Sequence, residues 1–134
     1  MKFMLLVYAE ADAWEAEARK LATLESVALC HELDAEGQYC SAAPLKPVTT
    51  SVSVRVRKGE ALITDGPFAE TTEHLGGYFL VDVKNIDAQL KGGVKVNTQT
   101  DAAIAVARRI PGARVGTVEV RPVVELTDLP ESRS

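Results

Sequence analysis

Cysteine and histidine are scarce in this chain, two of each, and that scarcity removes whole classes of chemistry. Cys30 and Cys40 have neither the number nor the spacing of a disulfide framework or a paired C-x-x-C metal site, so they read as free thiols in a reducing compartment. Cys30, His31 and Cys40 supply no recognised zinc spacing, and no haem, flavin or nucleotide motif is present, so neither a metal nor a cofactor is expected. Basic residues are outnumbered, 15 Lys and Arg against 19 Asp and Glu for a formal net charge of -4. That balance argues against nucleic acid as a partner. No apolar run is long enough to span a bilayer. The apolar opening from Lys2 to Ala9 imitates the core of a secretory signal but reads better as a buried strand, which points to a cytoplasmic protein.

What is present is enough for one ordinary domain. A chain of 134 residues buries a core without disulfides or metal to hold it, and the reading is a single domain over 1–126 with a loose tail over 127–134. In the first strand Phe3, Leu5 and Val7 alternate with Met4, Leu6 and Tyr8, so both faces want cover. Asp12 and Glu15 stand at a capping-box spacing, and helix formers continue to Glu36 before Gly37 stops them. The recurrence of Trp14, Ala18, Leu21, Leu24, Ala28 and Ala35 predicts a buried stripe along that helix. Gln38–Ser41 is a short strand candidate, and Pro44–Pro47 interrupts regular structure. Ser51–Arg57 and Glu60–Thr64 form a hairpin about Lys58-Gly59, with Val52, Val54 and Val56 predicted inward and Arg55 and Arg57 on a solvated face.

The chain gathers its chemistry in Ile63-Thr-Asp-Gly-Pro-Phe-Ala-Glu-Thr-Thr-Glu-His-Leu-Gly-Gly-Tyr78, a strand end, a sharp turn, a polar segment and a glycine pair ahead of a buried strand. Asp65, Glu70, Glu73 and His74 are a dense cluster of ionisable groups that strand ends can bring to a cleft. The segment from Lys84 to Asn97 fits a loop, a short hairpin or a helical turn followed by a strand. Thr100 or Asp101 starts a second helix through Arg109, with Ile104, Ala105 and Ala107 toward the sheet, and Val115–Val124 is a last strand. Strand, helix, strands, helix and strand predict an α+β sandwich, two helices on one face of a mostly antiparallel sheet. Two helices cover only one face, so the other is expected against a second copy in a homodimer.

With Asp65-Gly66-Pro67-Phe68, Ala69-Glu70-Thr71, His74-Leu75-Gly76-Gly77-Tyr78, Ala102–Pro111 and Val118-Glu-Val-Arg-Pro122 in place, the chain resembles the YCII-related family, in the branch named for its Asp-Gly-Pro-Phe motif. The resemblance implies a ferredoxin-like fold paired into a dimeric α+β barrel. It also implies relatives encoded beside extracytoplasmic-function sigma factors, and a superfamily that includes small monooxygenases, isomerases and dehalogenating enzymes. Other relatives carry a histidine eleven residues before the helix-ending glycine, proposed to pair with the turn aspartate; here that position is Ser26. His31 lies about 140° around the helix from it, so it is not a simple substitute. Lys84–Asn97 looks like an insertion relative to the family.

Each candidate residue carries two readings. Asp65 is either a general base or an Asx-turn residue whose carboxylate accepts from backbone N–H groups. His74 is a proton-exchanging catalytic group or a rim histidine. Tyr8, Tyr78, Phe68 and Glu73 are candidates for binding an apolar or phenolic substrate, and equally for core or solvated positions. His31 reads as a packed or partly exposed helical histidine. Gly76-Gly77 is expected to form a bulge or a close strand crossing. The expected function is a dimeric small-molecule-binding barrel with cofactor-independent lyase or isomerase chemistry; the alternative is a non-catalytic ligand- or protein-binding module in sigma-factor stress regulation.

Overall fold

A computed structural model describes residues 1–84 and 98–128. The insertion read at Lys84–Asn97 and the tail beyond Asp128 therefore lie, apart from Lys84, outside the described residues. Among the described residues there are six strands, β1 (Lys2–Ala9), β2 (Tyr39–Pro44), β3 (Val52–Arg57), β4 (Glu60–Asp65), β5 (His74–Asp82) and β6 (Thr117–Pro122), with helix α1 (Ala16–Ala35) after β1 and helix α2 (Thr98–Ala107) before β6. Four strands form an antiparallel sheet in the order β2-β5-β1-β6, and β3 and β4 form a separate two-stranded ribbon. With that ribbon set aside, the chain is a βαββαβ ferredoxin-like domain, as expected.

The core lies between the sheet and the helices. Phe3, Leu5, Phe79, Val81 and Val83 meet Leu29 and Leu33 of α1 and Ala103, Val106, Ala107 and Ile110 of the α2 region. On the other side of the pleat Met4, Leu6, Tyr8, Tyr78 and Leu80 are only half-buried. The first strand is thus apolar on both faces and covered by helices on one.

Three expectations about facing and one about a helix start are corrected. The buried stripe of α1 is Ala22, Leu29 and Leu33, rotated about a third of a turn from the predicted one; Leu24 is 66% exposed, and Leu21, Ala28 and Ala35 also face solvent. The helix carries apolar side chains on several sides, so periodicity alone selected the wrong one. In α2 the buried residues are Ala103, Val106 and Ala107, while Ile104 and Ala105 are exposed. In the ribbon Val52, Val54 and Val56 are exposed, Val54 at 62%. Alternation distinguishes the two faces of a strand without saying which is covered. Finally, α1 begins at Ala16 with Glu15 at the N-cap and no side-chain cap bond, so the Asp12 capping box does not form.

The remaining boundaries follow local chemistry. Gly37, at φ 75°, closes α1, where the Gln38 N–H donates to the Leu33 carbonyl at 2.8 Å and the Gly37 N–H to that of Asp34 at 3.0 Å, a glycine-terminated helix end. Lys58 and Gly59 take φ 53° and 78°, the double left-handed conformation that a two-residue hairpin turn demands. β2 runs three residues further than predicted, to Pro44.

Two arginines fasten α1 over the sheet. Arg109 donates to both carboxylate oxygens of Glu36, at 2.9 and 3.2 Å, and to Glu32 at 2.9 Å; Arg114 reaches both oxygens of Glu25 at 3.0 and 3.1 Å. These exposed pairs each contribute little to stability. The hydrogen bond from Arg109 nonetheless holds the Glu36 carboxyl below its ordinary value of 4.5. A depressed carboxyl adds stability above its unfolded-state pKa and loses it as pH falls through the folded value. A small loss of stability is therefore expected below about pH 4.5, and Glu36→Gln should flatten that part of a plot of melting temperature against pH.

Candidate functional site

The site begins with an irregularity in β5. Val7 pairs with Gly77, but Tyr8 pairs with Leu75 and Ala9 with His74, so Gly76 is the extra residue of a bulge. Directly paired residues share a face of the sheet. Val7 and Ala9 are on the helix side, and the bulge brings His74 there with them; in an unbroken strand His74 would share the outer face with Tyr78. Gly77 is constrained differently, since a Cβ there would stand 2.9 Å from the Ala43 carbonyl oxygen of β2. The expected bulge and close strand crossing are both present, one at each glycine.

The space that His74 reaches is a cavity of about 830 Å³ between α1, the β2–β5 edge of the sheet and the segment following β2. Its floor and walls include Val7, Ala42, Phe79, Ala22, Val27, Ile110 and Pro111; Trp14, Leu45 and Val48 border it. The volume lies within the range of roughly 300–1,000 Å³ common for small-molecule sites. One flank of α1 supplies part of the polar lining at helical spacing, Arg19, Thr23, Ser26, Cys30, His31 and Asp34. Ser26 donates to the Ala22 carbonyl at 2.8 Å, so its proton is directed back along the helix.

His74 is half-buried, and its surroundings favour one tautomer. The Thr71 hydroxyl donates to the Glu73 carbonyl at 2.7 Å and stands 3.4 Å from His74 Nδ1. With its proton committed, Thr71 Oγ1 serves Nδ1 as an acceptor, which favours hydrogen on Nδ1 and leaves Nε2 as the basic nitrogen. Cys30 is a poor nucleophile here: burial pushes its thiol up, against a smaller backbone hydrogen-bond effect in the other direction, and a protonated thiol attacks weakly.

The other sequence candidates lie elsewhere. Asp65 ends β4, is exposed and does not border the cavity. Among the described residues its carboxylate makes no hydrogen bond; the turn is held by the Gly66 N–H on the Ser51 carbonyl and the Ser53 hydroxyl on the Gly66 carbonyl, both at 2.8 Å. Gly66 takes φ 96° there. Phe68 is 79% exposed. Tyr8 and Glu73 line a separate shallow depression with Thr117 and Glu119. Tyr78 borders the cavity, but the pleat sends its ring to the outer face, where its hydroxyl is 2.7 Å from Ser41 Oγ. Glu70 is exposed. Besides Tyr78, the residues the sequence brings forward that border the cavity include His74, His31, Cys30 and Trp14, joined by Arg19 and Lys46, which had no sequence signal of their own. Among the described residues no cluster of three His, Cys, Asp or Glu side chains is arranged to hold a metal ion, and no helix is long and apolar enough to cross a membrane.

These features define a ferredoxin-like α+β domain with a small-molecule-sized cleft beneath its first helix and an imidazole at one end. The chain belongs to the YCII-related domain family, whose model matches residues 1–91. It is also similar to an uncharacterized protein of Rhizobium meliloti (strain 1021), 31% identical over 111 residues that cover 83% of this chain and 80% of that protein.

Proposed function

We propose that this chain, within the YCII-related family and its Asp-Gly-Pro-Phe branch, is a small-molecule-binding protein whose cleft under α1 holds an apolar or phenolic ligand. In this reading His74 exchanges a proton with the ligand, as in lyase or isomerase chemistry. The observation that carries the reading is the Gly76 bulge, which brings the His74 imidazole to a largely apolar cavity of about 830 Å³. An imidazole in such a place acts as a general base without a cofactor. The Asp65–Gly66–Pro67–Phe68 turn is assigned no proton transfer here, because Asp65 does not border the cavity.

The experiment screens small ketones and phenols through the fluorescence of Trp14, the single tryptophan, and then follows exchange of ligand C–H hydrogens in D₂O by proton NMR. Binding should quench or shift Trp14, and His74→Gln should slow exchange by about a hundredfold, the lower end of general-base contributions. Ser26→Phe places a ring in the cavity and should abolish binding while the fold persists. If exchange proceeds equally in the His74 variant, the proton-transfer part of the proposal is wrong; if Ser26→Phe still binds, so is the location.

The half-covered outer face of the sheet supports a homodimer through Met4, Leu6 and Leu80. A mass in solution of twice 14.4 kDa is the expected result by light scattering.

A further inference from the structure

Three charged side chains border one end of the cavity, and the topology brings them together. Glu10 directly follows Ala9, the partner of His74 at the end of β1. Lys46 lies two residues past β2, beside the bulge, because the Leu45 N–H donates to the Gly76 carbonyl at 2.8 Å. Arg19 is in the first turn of α1, about 22 Å along the helix from Asp34 at the far end of the same lining flank. Glu17, close in sequence, pairs with Lys20 and does not border the cavity.

Among the described residues neither Arg19 nor Lys46 forms an ion pair or a side-chain hydrogen bond, although the other arginines near α1, Arg109 and Arg114, are both paired. Two unpaired cations against one carboxylate leave one positive charge at the end of an apolar chamber. That balance is complementary to a single negative charge, and less so to the double charge of a phosphate monoester.

Building on the cleft as a ligand site, we infer that the natural ligand is an amphipathic monocarboxylate, its apolar body between α1 and Phe79 and its carboxylate at the Arg19–Lys46 end beside His74. The arginine offers a planar fork that matches a carboxylate, and the lysine a second, mobile charge. The arrangement also places the ligand's acidic end, and any C–H bond adjoining it, at the imidazole.

The test compares three probes of one shape, 4-phenylbutanoate, 4-phenylbutanamide and 4-phenylbutylamine, by Trp14 fluorescence and calorimetry on the full chain. The acid is expected to bind about five- to tenfold more tightly than the amide, the scale of one or two exposed charge pairs. That ratio should shrink in 0.5 M NaCl, with the Debye length falling to about 4 Å. It should approach one in the Arg19→Gln, Lys46→Gln double variant and persist in Arg55→Gln, a change on the ribbon outside the cavity lining. Equal binding of acid and amide, or tighter binding of the amine, overturns the carboxylate assignment while leaving the cleft as a ligand site. Failure of all three probes to bind overturns both.

Discussion

Leu33→Ala is expected to destabilise the chain by about 3–5 kcal/mol, the upper part of the range for truncating a fully buried leucine. Leu33 has no exposed surface and joins Leu29 in holding α1 against Phe3, Leu5 and Val81. Removing its isobutyl group loses the transfer free energy and leaves a void at the seam between helix and sheet, which rigid strands on one side cannot collapse to fill. Leu24→Ala is the control. On the opposite side of the same helix Leu24 is 66% exposed, and its truncation should stay within about 0.5 kcal/mol. Urea or thermal unfolding of the pair distinguishes the stripe described here from the one that sequence spacing suggests. Should Leu24→Ala prove the more damaging, α1 is rotated from the orientation that creates the cavity.

Gly116→Ala should be of similar severity, about 3 kcal/mol or more, at the high end of overpacking losses. A Cβ at that position would stand 2.0 Å from the carbonyl oxygen of Tyr8 and 3.0 Å from the Cα of Ala9. Both obstacles are backbone atoms of the central strand, so no side-chain rotation relieves the contact; β6 must move away from β1 or the end of β1 must bend. That end also carries Ala9, the partner of His74. The substitution should therefore lower stability and, in whatever fraction folds, weaken ligand binding in the cleft. Gly59→Ala is a poor comparison because Gly59 is at φ 78° and is strained for another reason. Gly76→Ala is a better one: its Cβ would meet only the Val7 carbonyl oxygen at 3.8 Å, an ordinary contact with a small expected effect.

The sequence carried the frame of this fold well and the cavity poorly. Strand periodicity in Lys2–Tyr8, the stop at Gly37, the turn at Lys58-Gly59 and the order of elements all rest on chemistry within a few residues, and each appears where expected. The cavity rests instead on which flank of α1 is presented to the β2–β5 edge. Apolar residues at Leu21, Leu24 and Ala28 competed with Ala22, Leu29 and Leu33 for the core, and only tertiary packing selects between the two stripes. Once the stripe is fixed, Arg19, Ser26 and Cys30 follow as the adjoining flank.

His74 illustrates a partial reading. The Gly-Gly pair signalled a bulge, but the consequence, an imidazole transferred from the outer face to the helix side, depends on which of the two glycines is unpaired. Asp65 was prominent in the sequence because it sits in a crowded polar segment. The ribbon that carries it pairs with none of the four main strands, so nearness in sequence to His74 did not become nearness at the cavity.

Backbone amide NMR during titration with 4-phenylbutanoate distinguishes a ligand site beneath α1 from one on the open face of the sheet. With the ligand beneath α1, shifts are expected to concentrate at Ala22, Ser26, Leu45, His74 and Gly77, which border the cavity, with Met4, Leu6 and Leu80 unmoved. Shifts centred on Met4, Leu6 and Leu80 would contradict that placement and move the binding site to the sheet's outer face.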